Sequence, residues 1–220
     1  DRYVSAKAAG ERYAAGGSRG GRVGEVVVGG GLFGQHGGEY ADLRAQLVVH
    51  VGAGEVCWAV QEMEAAILKD GWDGAWFLRA YDASGRKVGS KECREGQIYI
   101  EPQGFCALAG VGKETGQLKM ALDSTRERPL GQYGIELLAP CYTEYHLELG
   151  EISSYPPGFK ENGSVFCHNN PWVVCGEAVL GRGNEALDAS RRIGPAYTEA
   201  QTESHGPERQ AQRKAVHGRG

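Results

Sequence analysis

The clearest periodicity in the chain runs through EVCWAVQEMEAAILKDG, residues 55–71, where Val56, Val60, Met63 and Ile67 fall at i, i+4, i+7 and i+11. An apolar stripe at that spacing predicts an amphipathic helix. Lys69 suits its last turn and Gly71 is a plausible stop. The pattern then changes. AWFLRAYDASGRKVGS, residues 75–90, opens on aromatic residues and reaches a turn at Ala83-Ser84-Gly85, which predicts a β-hairpin. Helical patterning returns in GQLKMALDSTRER (116–128), closed by Pro129, and in PWVVCGEAVLGRG (171–183). It returns again in NEALDASRRIG (184–194), with Asn184 as the cap and Gly194-Pro195 as the stop.

The flanks are patterned differently. Residues 1–38 are Gly-rich and only GEVVVGG (24–30) could make a short strand or a broken helix. From 199 to 220 apolar residues almost vanish, so this stretch reads as a disordered polar tail. The expected organisation is a divergent N-terminal segment over 1–38, a mainly α domain with a short hairpin over 39–198, and the tail. Its rhythm is helix, long decorated loop, helix, and such loops are where sites sit.

Composition narrows the function classes. The 220 residues are enough for one domain with a real core, and they begin at Asp1. A net charge of −4 from 24 basic and 28 acidic residues lacks the basic footprint of a nucleic-acid binder. No apolar run approaches the roughly 18 residues of a membrane span. No apolar h-region follows Arg2, so no signal peptide is expected from this stretch. Cys57, Cys93, Cys106, Cys141, Cys167 and Cys175 match neither C-x-x-C nor zinc spacing, and several lie in apolar runs, as buried thiols do. A reducing, cytoplasmic home and no metal are expected.

Some short motifs carry little. GGGLFG (29–34) satisfies the bare dinucleotide pattern after Val26-Val27-Val28, but no alternation of strands and helices follows it. It leaves a dinucleotide-binding protein using Gly29–Gly34 as a third reading. GVGKET (110–115) fails as a phosphate loop, because Ala107 stands at its first glycine and Glu114 at its Ser/Thr. Cys167 beside His168 does not make a nucleophile–base pair, and Cys167 is expected to pack beside Phe166. His36, His50 and His146 read as ordinary imidazoles, and Trp72 and Trp76 as core.

The segment YPPGFKENGSVFCHNNPW, residues 155–172, concentrates chemistry. Pro156-Pro157-Gly158 makes a stiff turn between Tyr155 and Lys160-Glu161. Asn170 is a good N-cap and Pro171 a good first helical residue, so His168 is expected just ahead of a helix N-terminus. Helix N-termini present unpaired N–H groups and partial positive charge, which suit phosphate. Lys160 and Glu161 offer a dense donor–acceptor pair for a polyhydroxylated ligand. The same residues would equally make a surface salt-bridge loop of little energetic consequence.

These residues also carry a resemblance. ELGEISSYPPGFKENGSVFCHNNPW (148–172), together with KDGWDGAWFLRAYDASGRKVGSKE (69–92), IEPQGFCALAGV (100–111), YGIELLAPCY (133–142) and EAVLGRGNEALD (177–188), resembles the inverting cellobiose phosphorylases and related disaccharide phosphorylases. The likeness covers about residues 55–199. It implies a part of an (α/α)6-barrel catalytic domain that phosphorolyses a β-linked glucosyl disaccharide with inversion, giving α-glucose 1-phosphate and glucose. It implies no cofactor or metal, phosphate being a substrate. Its implied partners are a disaccharide or glucose and phosphate, with a homodimer in intact relatives. Lys160 and Glu161 match the acceptor-sugar residues, Tyr155 a tyrosine on the same side, and His168 a phosphate-binding histidine.

The likeness has gaps. The family's general acid is an aspartate in an A-D-W-N-D phrase, and no Trp-Asn-Asp occurs in these 220 residues. A glutamine of an E-P-Y-V-Y-A-Q phrase helps bind phosphate, and SHGPERQAQRK stands near its place, with Gln212 a remnant at most. RERPL and GQYG also look altered, Pro129 falling where helix should continue. The expectation is a fragment without a catalytic residue of its own, inactive alone because a positioned acid supplies roughly 10²–10⁴-fold. A non-catalytic carbohydrate or phosphate binder is the second reading.

Overall fold

A computed structural model describes residues 53–194 apart from residue 83, with side chains from Cys57 onward. Val56's side chain, GGGLFG, His36, His50, Gln212 and the boundaries near 38 and 198 therefore lie outside the described residues. The elements are α1 (Ala53–Asp70), β1 (Ala80–Tyr81), β2 (Lys87–Val88), β3 (Ile98–Tyr99), α2 (Ile100–Leu108) and α3 (Gln117–Glu127). They continue with β4 (Leu130–Gly131), β5 (Gly134–Ile135), β6 (Leu138–Ala139), a 3₁₀ segment (Leu147–Ser154), α4 (Asn170–Val179) and α5 (Gly183–Ile193).

α1 shows the expected stripe: Ile67 is buried and Val60 and Met63 are half-buried. β1 and β2 pair antiparallel, Ala80 opposite Val88 and Tyr81 opposite Lys87. Asp82 organises their turn. Its carboxylate accepts from the Ser84 and Arg86 amides at 2.8 and 2.9 Å and from Arg86 Nε at 2.6 Å. Trp76 is core as expected, its indole donating to the carbonyls of Gly89 and Gln97, and Trp72 packs edge-on against Phe77.

Hydrophobic periodicity did not announce α2, whose sequence IEPQGFCAL holds a proline and a glycine. Pro102 is tolerated because it sits in the first turn, where amides lack intrahelical partners. Gly104 is required by packing, since a Cβ there would lie 2.8 Å from the Cβ of Trp172 on α4. One turn on, a Cβ at Gly176 would lie 2.4 Å from that of Ala107. Residues 104 and 107 thus meet residues 172 and 176 in the same order. α2 and α4 therefore run side by side in the same direction, with both N-termini at one end. α3 packs on α2, and α5 on α4. Arg182 links the pairs through Asp123 at 2.7 Å and Glu177 at 2.9 Å.

Two helix limits differ from expectation. α5 is preceded by Arg182 as its cap residue, not by Asn184, which lies inside the helix. α4 stops at Val179 instead of reaching 183, and Gly181 turns the chain at φ +72°. Pro129 follows α3 and opens the β4–β5 hairpin, where its carbonyl accepts from Glu136 N. The described residues are mostly helical with a few short strands, as the mainly α expectation has it. The core gathers Phe77, Leu78, Ile100, Leu118, Leu122 and Leu138 between these layers.

Candidate functional site

Irregular backbone needs hydrogen-bond partners that regular structure would otherwise supply. In this protein three buried amide side chains supply them. Gln103 on α2 accepts from Phe77 N at 2.9 Å and donates to the carbonyls of Phe77 and Tyr99 at 2.8 and 2.9 Å. Asn162 accepts from Tyr142 N at 2.7 Å and donates to the carbonyls of Tyr142 and Tyr155 at 2.8 and 2.7 Å. Asn170 accepts from Ile135 N at 2.7 Å and donates to the carbonyls of Ile135 and Phe166 at 2.9 and 2.8 Å.

The last two fix the segment 155–172 at two points. Asn162 closes the first arm, which leaves the 3₁₀ segment at Tyr155. Pro156 to Phe159 form a turn, with Phe159 N donating to Pro156 O at 3.0 Å and Gly158 at φ +77°. The chain then reverses through Lys160, which has φ +47°. That left-handed conformation costs an L-residue about 1–2 kcal/mol. Ser164 holds the bend, its amide and hydroxyl both donating to Lys160 O, at 3.2 and 2.5 Å. The second arm runs beside the β5–β6 link, Glu136 bridging Val165 and Leu137 N donating to Ser164 O at 2.9 Å.

On this frame the chemical side chains sit as follows. Lys160 Nζ lies 4.8 Å from the Tyr155 ring centroid, a cation–π approach. The Tyr155 hydroxyl reaches Glu151 at 3.4 Å. Glu161 is half-buried, and its Oε2 is buried with no hydrogen-bond partner among the described residues. A carboxylate oxygen left so is costly unless something occupies it. His168 is exposed and packs edge-on against Phe166 and Trp172, at 5.5 and 5.8 Å between centroids.

The structure brings Tyr155, Lys160 and Glu161 onto one arm and sets His168 on the other. No hydrogen bond or ion pair among the described residues joins His168 to Lys160 or Glu161. His168 does precede a helix N-terminus, but Asn170 is not the cap. The cap residue is Asn169, and Asn170 is the first helical residue, with Pro171 after it. Asn170 cannot cap because its side chain is engaged with Ile135 and Phe166. Cys167 is exposed rather than packed, as are Cys57 and Cys175. Of the six cysteines only Cys106 is fully buried. His146 is an ordinary half-buried imidazole, 3.9 Å from both Glu95 and Glu148.

Two carboxylates near this segment escaped the sequence reading. Burial pushes the Glu136 carboxyl up. Burial also pushes up Glu101, in the first turn of α2, against the opposing charges of Arg79 and His168. Both follow an isoleucine, Ile135 at the end of β5 and Ile100 at the start of α2, and nothing in their local pattern separates them from surface glutamates.

The described residues thus form a helical frame with an underbonded Lys–Glu loop on one arm and a histidine at a helix start on the other. The chain belongs to the glycosyl hydrolase 94 superfamily: the model of that superfamily's catalytic domain matches residues 15–220, further in both directions than the phrases from 55 to 199. It is 36% identical over 160 residues to the solabiose phosphorylase of Paenibacillus borealis, covering 71% of this chain and 20% of that one. It is 34% identical over 127 residues to the N,N'-diacetylchitobiose phosphorylase of Vibrio furnissii, covering 56% and 16%. It is 28% identical over 131 residues to the cellobionic acid phosphorylase of Neurospora crassa, covering 58% and 16%. The chain thus spans a fifth or less of the length of these relatives. No helix among the described residues is long and apolar enough to cross a membrane.

Proposed function

We propose that the chain is the sugar- and phosphate-holding part of a disaccharide phosphorylase that cleaves a β-linked glucosyl disaccharide, cellobiose-like, with inorganic phosphate and inversion. The products are α-glucose 1-phosphate and glucose. Lys160, Glu161 and Tyr155 hold the acceptor sugar, and His168 binds phosphate. The observation that carries this reading is the buried, unpartnered Oε2 of Glu161, next to a lysine held at φ +47°. Backbone strain and an unmet acceptor in adjacent residues are features of sites that await a ligand. A sugar hydroxyl donating to Glu161 fills the unmet acceptor, and another can accept from Lys160 Nζ.

Inverting hydrolases use an acid on one face of the sugar and a base-activated water on the other. Phosphate is already an anionic nucleophile, so it needs positioning more than activation. His168 supplies a donor for that purpose. The α4 N-terminus adds its partial positive charge and no free amide, since the Asn169, Asn170 and Trp172 amides are engaged and Pro171 has none. The leaving glucose needs a general acid, and the A-D-W-N-D phrase that carries it in the family does not occur in these residues. We therefore expect the 220-residue chain alone to bind glucose and phosphate without turnover. The test is phosphate release from α-glucose 1-phosphate plus glucose, alongside glucose binding by calorimetry. No release, with glucose binding lost on Lys160→Ala and Glu161→Ala, is the expected result. Turnover comparable to an intact relative, or glucose binding indifferent to both substitutions, contradicts it.

A further inference from the structure

The parallel packing of α2 and α4 puts the first turn of α2 beside the turn that carries His168. Glu101 and Phe105 lie four residues apart on α2, so they share a face. Phe105 stacks on Trp172 with 4.3 Å between centroids, and Trp172 in turn meets the His168 ring. One aromatic chain therefore spans from the Glu101 face of α2 to His168. Glu101 itself is mostly covered, its side chain 12% exposed. Its Oε1 lies 3.8 Å from Arg79 Nη1, and its Oε2 is buried with no hydrogen-bond partner among the described residues. Arg79 comes from the lead-in to β1 and His168 from the loop ahead of α4. Arg79 is the cation in contact with the carboxylate, and no hydrogen bond or ion pair among the described residues joins Glu101 to His168.

We propose that Glu101 is a positioning residue for phosphate: beside Arg79 and linked to His168 through the Phe105 and Trp172 rings, its charge draws the guanidinium and the imidazole toward one anion position. This rests on the reading of His168 as the phosphate-binding histidine. A buried carboxylate with one weak cation contact gains by drawing a second cation close. Orienting a histidine through a carboxylate fixes which face of the ring meets the ligand. Glu101 does not touch phosphate in this arrangement. It acts through its two neighbours.

The coupling is measured by titrating inorganic phosphate, and separately glucose, into the full chain by calorimetry. Four proteins are compared: the parent, Glu101→Gln, His168→Gln and the double variant. Glu101→Gln keeps the shape and removes the charge. We expect it to weaken phosphate about tenfold with His168 present, to change nothing further on the His168→Gln background, and to leave glucose affinity intact. Equal losses on both backgrounds would show a merely structural role and overturn the proposal, as would no loss at all. If His168→Gln leaves phosphate affinity unchanged, the phosphate-site reading falls and this inference with it. If His168→Gln loses affinity and Glu101→Gln does not, only the positioning role falls. Should Glu101→Gln not fold, as glucose binding reports, Glu101→Asp, which keeps the charge and shortens the arm, replaces it. A several-fold loss of phosphate affinity that needs His168 then supports the proposal, and its absence overturns it.

Discussion

The β1–β2 hairpin and the 155–172 segment are both dense in charge, yet they use it in opposite ways. In the hairpin every carboxylate named here is answered. Asp82 binds two amides and Arg86, while Asp73 accepts from Ser90 Oγ at 2.9 Å and Lys91 N at 2.7 Å, with Lys87 at 3.5 Å. In the 155–172 segment the amides Asn162 and Asn170 are fully engaged, but Glu161 Oε2 is not, and Lys160 rests on a ring. Satisfied charge builds the hairpin. Underbonded charge on a hydrogen-bonded frame is what the proposed sugar site rests on.

The largest effects should come from removing the frame. Asn162→Ala leaves the Tyr142 amide and two carbonyls without partners, and should cost about 3 kcal/mol. A drop in melting temperature together with loss of glucose binding checks it. Asp73→Ala should cost about 2 kcal/mol through the hairpin, and calorimetry should show glucose affinity unchanged. The contrast sharpens most at Lys160. Lys160→Gly relieves the left-handed strain while adding unfolded-state freedom. Stability should therefore rise by at most about 1 kcal/mol, while glucose binding is abolished. A substitution that stabilises and disables marks a residue held for function.

The smallest effect concerns pH. The Glu136 carboxyl is raised by burial above its ordinary 4.5. Its ionised form is therefore disfavoured in the folded chain, and stability is lost as pH rises through the folded value. Glu136→Gln imitates the protonated state. Its folding stability, followed by melting temperature, should exceed the parent's slightly at pH 8, by no more than about 0.5 kcal/mol since water screens a half-exposed group. The gap should close as pH falls below about 4.5.

The legible parts of the sequence were those with a period. α1, α3 and the hairpin follow from apolar spacing and turn residues. Lys160, Glu161, Tyr155 and His168 stood out by type and by their place between a Pro-Pro-Gly turn and an Asn-Pro helix start. What was not legible depends on distant partners. α2 needs Gly104 only because Trp172 crosses there, and Pro102 only because it falls in a first turn. Asn170 looked like a cap because its local sequence is that of one, but Ile135, 35 residues away, claims its side chain. Glu101 meets Arg79 from a separate element, and no local pattern records that neighbourhood.

The most direct test of the account is a crystal structure of the chain with glucose bound. It should place a sugar hydroxyl within hydrogen-bond distance of Glu161 Oε2 and another at Lys160 Nζ, with Lys160 still left-handed. A sugar seated elsewhere, with Glu161 and Lys160 untouched, would contradict it.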